Sequence, residues 1–143
     1  MRISLGADDG APVVDAVIED LRGRGHEVRV YEPEQWPEVA LKVAQDVAQG
    51  QADQGVLFCW TGTGTSMAAN KVRGVRAALA WEPWIAEGAR LWNDANVLVM
   101  SLKRISPETA LAILEAWFKV EAPDESEAAN IARLAEIEAA TSG

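Results

Sequence analysis

The chain reads as a three-layer α/β/α domain on a five-stranded, parallel, Rossmann-like sheet. Two observations predict this. Short runs rich in Val, Ile and Leu alternate with longer segments whose apolar residues recur at helical spacing. The run Gly55-Val56-Leu57-Phe58-Cys59 is apolar throughout, as a strand covered by helices on both faces must be. With 143 residues the chain is expected to form one domain, 1–143, large enough to bury its own core.

Each element has a local reason. Residues 2–6 form a first strand. Residues 12–22 form a helix with Val13, Val14, Val17, Ile18 and Leu21 on one face. A strand at 27–31 precedes a helix at 37–49 whose apolar residues are Val39, Leu41, Val43, Ala44 and Val47. The third strand, 55–59, runs into a short helix at 66–71, and the fourth strand is 75–80. A helix at 82–92 leads to the fifth strand, 96–100. The helix at 107–120 starts on Ser106 as N-cap with Pro107 in its first position. The last helix, 126–140, is rich in Ala and Glu and has an apolar side through Ile131, Leu134 and Ile137. Ligands of such folds bind outside the C-terminal strand ends, which here carry Asp8-Asp9-Gly10, Cys59–Ser66 and Trp81-Glu82-Pro83.

Composition narrows the function. A net charge of −9 with no basic patch argues against nucleic acid and against an anionic membrane surface. No apolar run is long enough to span a bilayer. The N-terminus reads directly as a strand, so no signal peptide is expected, and one cysteine permits no internal disulfide. Both fit the reducing cytoplasm. His26 is the only histidine, and no residues have metal-ligand spacing, so neither metal nor cofactor is expected.

The segment 56–71, VLFCWTGTGTSMAANK, is the most informative. A buried strand ends in Cys59, a Thr-Gly-Thr-Gly-Thr-Ser turn follows, and a helix begins. Such a turn directs free backbone N–H groups at one point, where the helix dipole favours negative charge. A thiol beside that point suits proton transfer or nucleophilic attack. The structural alternative is a cysteine that serves as a small buried hydrophobe.

These pieces, in this order, resemble the type B ribose-5-phosphate isomerase and galactose-6-phosphate isomerase family. The stretches are Gly6-Ala7-Asp8, Trp36-Pro37, Gly50-Gln51-Ala52-Asp53-Gln54-Gly55-Val56-Leu57, Cys59, Thr61-Gly62-Thr63-Gly64, Ala68-Ala69-Asn70-Lys71-Val72, Gly74-Val75-Arg76-Ala77-Ala78, Glu82-Pro83 and Asn93-Asp94-Ala95-Asn96-Val97-Leu98. The resemblance covers nearly the whole chain and is weakest after Val120. It implies a metal-independent interconversion of aldose and ketose through an enediolate, in a homodimer, or a dimer of dimers, whose sites lie across the two-fold interface. Cys59 matches the family's base and Thr61 a hydroxyl that helps move the proton between oxygens. Gly62, Thr63 and Gly64, continuing to Thr65 and Ser66, match the anion hole. Another branch places a carboxylate at the position of Thr65, which leaves Cys59 the base candidate of this loop. Asp8 matches an aspartate near the substrate hydroxyls, and Asn93 an asparagine on the sugar.

The departures matter as much. Asp9 stands where the family has a histidine that contacts the substrate phosphate. Trp92 stands where it has the histidine that opens a furanose ring, a task indole cannot perform. Of two arginines on the last helix that reach the partner subunit's phosphate, the alignment retains Arg133 and puts Ala129 at the other. Trp60 replaces a glycine and Trp36 a tyrosine lining the site. Each has a structural alternative. The indoles pack in the core or a dimer interface, Asp9 caps the first helix, and Arg133 pairs with Glu136 or Glu138. His26 reads as structural, and Arg22-Gly23-Arg24 as a solvated helix end. Two functions follow. One is an isomerase for a small sugar or sugar phosphate with altered substrate preference. The other is a sugar-binding homologue that has lost the chemistry.

Overall fold

The computed structural model of the chain describes residues 1–141. Its strands are β1 (Arg2–Ala7), β2 (Glu27–Val30), β3 (Gln54–Cys59), β4 (Ala77–Leu79) and β5 (Val97–Ser101). The helices are α1 (Pro12–Gly23), α2 (Trp36–Ala48), α3 (Thr63–Ala69), α4 (Pro83–Asn93), α5 (Pro107–Lys119) and α6 (Ala128–Thr141), with a 3₁₀ turn at Glu125–Glu127 before the last. The strands form one parallel sheet in the order β2-β1-β3-β5-β4. Every residue of β3 and β5 is buried, whereas the short edge strands β2 and β4 are partly exposed.

Helices cover both faces, as the apolar third strand requires. On one side Val17, Leu21, Phe58, Leu98, Ile113, Leu114 and Trp117 form the larger core beneath α1, α4 and α5. On the other, Ala40, Val43, Ala44, Leu57, Ala69 and Val99 pack beneath α2 and α3. The buried Trp117 indole N–H donates to Gln54 Oε1 at 2.8 Å, so its burial strands no polar group.

The topology creates a crevice. From β1 the chain crosses over α1 to β2 on one side, then over α2 to β3 on the other side of β1. The crossovers α1 and α2 lie on opposite faces of the sheet, so a crevice forms at the C-terminal ends of β1 and β3. Asp8 and Cys59 stand at those ends, and Asp8 N donates to Phe58 O at 3.3 Å.

Several boundaries differ from the sequence reading. The helix expected at 66–71 is Thr63–Ala69, because Gly62 enters the left-handed region (φ 82°) and Ser66 N already donates to Gly62 O at 3.1 Å. The fourth strand shrinks to Ala77–Leu79. Asn96 Oδ1 takes the N–H of Arg76, and the Asn70 side chain brackets Ala77, accepting from its N–H at 2.8 Å and donating to its carbonyl at 3.0 Å. Ser106 caps α5 as expected, its hydroxyl accepting from Thr109 N at 3.1 Å. Asp9 does not cap α1: the N-cap is Ala11, and Asp9 Oδ1 accepts from Gly10 N instead.

Helix α6 contributes no buried residue. It is tied to the body where Glu138 Oε1 accepts from Gly74 N at 2.9 Å, and it roofs a cavity of about 520 Å³ over β4. Leu134 and Ile137 remain 46% and 45% exposed, so much of the expected apolar side is uncovered in the single chain. Among the described residues no helix is long and apolar enough to cross a membrane.

Candidate active site

Cys59 ends β3, is buried, and lines a cavity of about 410 Å³ together with Asp8, Trp36, Trp60, Thr61, Thr63 and Gly64. The positions come from the fold: Asp8 from the end of β1, Cys59 from the end of β3, Trp36 from the start of α2, and the hydroxyls from the turn into α3. A larger cavity lies under α6, away from the thiol. The smaller one sits at the crevice and holds the candidate side chains, which makes it the candidate site.

The sulfur is well supplied with donors. Gly62 N–H donates to Cys59 Sγ at 3.2 Å, and the Thr65 hydroxyl donates to it at 3.3 Å. Thr65 is fully buried and Cys59 only 4% exposed. The left-handed Gly62 makes this possible, since a Cβ there would stand 2.5 Å from Leu79 Cδ1 and 3.3 Å from the Met100 carbonyl carbon. Thr61 and Thr63 pair through their hydroxyl oxygens at 2.7 Å, and Thr63 N–H donates to Thr61 Oγ1 at 3.3 Å.

Some donors of the turn are already spent. The Ser66 N–H is spent closing the first turn on Gly62 O, so Ser66 supplies no free backbone donor, contrary to the sequence reading. Gly62 N–H serves the sulfur and Thr63 N–H serves Thr61. The Gly64 and Thr65 N–H groups have no protein partner among the described residues, as the first turn of a helix leaves them.

Asp8 faces the same cavity, and its Oδ1 is buried with no protein partner. Burial holds its carboxyl above the ordinary value, and the neighbouring Asp9 adds to this. The backbone N–H groups of Asp8 and Trp60 and the charge of Lys103 pull the other way. Asp9 itself is exposed.

Lys103 is a residue the sequence reading missed. It follows β5, and its Nζ stands 4.6 Å from the centroid of the Trp60 ring at the cavity rim. The signal was available: Leu102-Lys103-Arg104 lies just past the strand predicted at 96–100, on the edge where ligands bind. Trp36 and Trp60 both line the cavity, 43% and 57% exposed, and neither is core.

Other expected residues lie elsewhere in the single chain. Trp92 and Asn93 end α4, at the far side of the sheet, where Trp92 meets Trp84 edge-on at 5.7 Å. The helix stops there because Asp94 takes the left-handed conformation (φ 50°). Arg76 Nε donates to its carbonyl at 2.7 Å, and Arg90 donates to Ala95 O at 2.6 Å. Arg133 on α6 is exposed and pairs with Glu136 at 2.9 Å, one of the alternatives foreseen. Within one chain these residues do not join Cys59, since β5 and β4 lie between. Among the described residues no group of three or more His, Cys, Asp or Glu is gathered to hold a metal ion.

A parallel α/β domain with a thiol, hydroxyls and a glycine turn at its switch point defines a class of small-molecule site. The Ribose/Galactose Isomerase family model matches residues 3–137, and the chain belongs to that family. Among similar proteins, D-erythrulose-4-phosphate isomerase 2 of Mycolicibacterium smegmatis is 36% identical over 129 residues, 90% of this chain and 80% of that protein. The putative sugar phosphate isomerase YwlF of Bacillus subtilis is 42% identical over a shorter stretch of 86 residues, so the match spans only 58% of that protein. The ribose-5-phosphate isomerase B structure of Clostridium thermocellum superposes with a TM-score of 0.93 at 35% identity, covering 99% of this chain and 100% of that one.

Proposed function

We propose that the chain is an aldose–ketose isomerase acting through an enediolate, with Cys59 as the base. The observation that carries this reading is the Cys59 sulfur, held by two donors, on a residue that lines a cavity with Asp8, Thr61 and Gly64. The thiolate takes the proton from the carbon beside the substrate carbonyl and returns it to the adjacent carbon. Thr61 moves a proton between the two substrate oxygens. The unspent Gly64 and Thr65 N–H groups meet the developing oxyanion, and Asp8 holds a substrate hydroxyl.

The departures select the substrate class. Trp92 replaces a ring-opening acid, so the favoured substrate is one that needs no ring opening. A four-carbon sugar phosphorylated on its terminal oxygen has no hydroxyl left to close a furanose, and relatives in this family act on D-erythrulose 4-phosphate. Asp9, in place of a phosphate-binding histidine, repels a dianion by about 4 kcal/mol per charge pair at 4 Å and an effective dielectric of 20, before screening. Lys103, at the cavity rim, supplies the opposite charge. An open-chain, unphosphorylated ketose meets the same constraints.

The active unit is a homodimer, in which Trp92, Asn93 and Arg133 of one copy complete the Cys59 cavity of another. The exposed Leu134 and Ile137 on α6 support it. Such a protein works in the cytoplasm, where a free thiol persists. An isomerase assay of four-carbon sugar 4-phosphates, ribose 5-phosphate and unphosphorylated ketoses tests the reading. The four-carbon phosphate is expected to exceed ribose 5-phosphate about 100-fold in kcat/KM, with Cys59→Ala inactive on both. Equal turnover of ribose 5-phosphate would overturn the substrate assignment. No turnover of any sugar would favour the alternative that Asp9 and Trp92 suggest, a binding protein on a retained fold.

A further inference from the structure

We infer that Thr65 is a positioning residue for Cys59, a hydroxyl rotor that supplies a hydrogen bond to the sulfur in both of its protonation states. The inference rests on the isomerase reading for its purpose but on geometry for its substance. The Thr65 hydroxyl oxygen lies 3.3 Å from Cys59 Sγ and 3.4 Å from Gly62 O, and it is completely buried. A buried hydroxyl has one proton to give and lone pairs to receive, and its hydrogen rotates to suit. Those two neighbours are the partners such a rotor needs.

With the sulfur as thiolate, the Thr65 O–H points at Sγ, and the Gly62 N–H gives the anion a second donor. During the reaction the substrate C–H bond breaks and an S–H bond forms, the electron pair of the broken bond passing into the enediolate. The sulfur is then a donor. Thr65 turns its own hydrogen to Gly62 O and receives the S–H on its freed lone pair. When the proton returns to the adjacent carbon, the S–H bond breaks and the rotor swings back. No proton is gained or lost by Thr65, and neither its hydroxyl nor the sulfur goes unpaired at either stage. A valine of the same shape would fill the space and do neither.

The surroundings are otherwise poor in charge. Asp8 from the end of β1 shares the cavity with Cys59, with Asp9 next to it. Lys103 approaches from the loop after β5, and Trp36 is the cavity-lining residue of α2. Helix α3 itself, TGTSMAA, carries no ionisable side chain. The Thr65 hydroxyl is therefore a direct, uncharged lever on the sulfur.

The test uses the fact that Cys59 is the chain's only cysteine, so alkylation by iodoacetamide reports on it alone. The alkylation rate is measured against pH for the wild type, Thr65→Val and Thr65→Ser, with folding checked by circular dichroism. Thr65→Val is expected to lower the alkylation rate about tenfold at neutral pH. Thr65→Ser keeps the hydroxyl and is expected to stay close to the wild type. On a turned-over sugar, Thr65→Val is expected to lower kcat about tenfold with KM within about twofold. An unchanged alkylation profile in Thr65→Val would overturn the inference whether or not the protein turns over any sugar. A lowered rate with no sugar turned over by the wild type would uphold it while removing the isomerase reading. Should Thr65→Val not fold, Thr65→Ala carries the same expectation and the same refutation.

Discussion

The indole of Trp36 lies across Gly64, so close that a Cβ built on Gly64 would stand 3.0 Å from two ring atoms. The first residue of α2 therefore closes one wall of the cavity against the first turn of α3. The indole can approach this closely only because that position has no side chain.

Gly64→Ala is expected to push the indole aside, costing about 1–3 kcal/mol of stability and roughly 10–100-fold in kcat/KM. Adding Trp36→Ala should recover most of the lost stability, because the clash then has no second partner. A thermal-melt and kinetic double-mutant cycle measures this. Additive effects would show that the contact does not couple the two residues.

Asp8 yields a pH prediction whose sign follows from its burial. Its carboxyl is held above the ordinary value of 3.8, so the folded state binds that proton more tightly than the unfolded chain does. Its stabilising contribution is fully present below 3.8 and is lost as pH rises through the raised folded value. Asp8→Asn is therefore expected to match or exceed the wild type in denaturation at pH 7, and to lose that advantage in acid. Catalysis should fall by about 10–100-fold, the worth of one hydrogen bond to a charged group. A variant less stable at pH 7 than in acid, relative to the wild type, would contradict the sign.

Helix α6 carries the dimer prediction. Leu134→Asp with Ile137→Asp places charge on its exposed apolar side and is expected to yield a monomer by light scattering at micromolar concentration. Activity should fall at least about 100-fold, because a single chain leaves Trp92, Asn93 and Arg133 away from Cys59. A wild-type monomer with full activity would remove the shared site.

Trp92→His tests the substrate reading from the other direction. Restoring an imidazole at the end of α4 should raise turnover of ribose 5-phosphate by up to about 100-fold and leave a four-carbon phosphate, which needs no ring opening, within about threefold. An equal change in both would mean that position 92 acts on binding and not on the ring.

Much of this was legible in the sequence because local and global signals agree. The uniformly apolar 55–59 fixes a doubly covered central strand, Ser106-Pro107 starts α5 as capping chemistry requires, and a strand running into Cys59 and glycines puts the thiol at the sheet edge. The rest depended on contacts distant in sequence. Residues 75 and 76 have strand composition, but the side chains of Asn96 and Asn70 take over the hydrogen bonding around Arg76 and Ala77. Ser66 looked like an anion donor until Gly62, in its left-handed turn, claimed its N–H. Lys103 lay just past a predicted strand, but its place beside the cavity depends on a contact with Trp60, distant in sequence.

The central claim is that Cys59 removes and returns a proton on a sugar carbon. The direct measurement is proton NMR of a four-carbon sugar 4-phosphate incubated with the protein in deuterium oxide. The account predicts that the wild type introduces deuterium at C2 of the aldose and C1 of the ketose as the two interconvert, and that Cys59→Ala introduces none above the buffer rate. Exchange undiminished in Cys59→Ala would contradict it by showing that another group is the base.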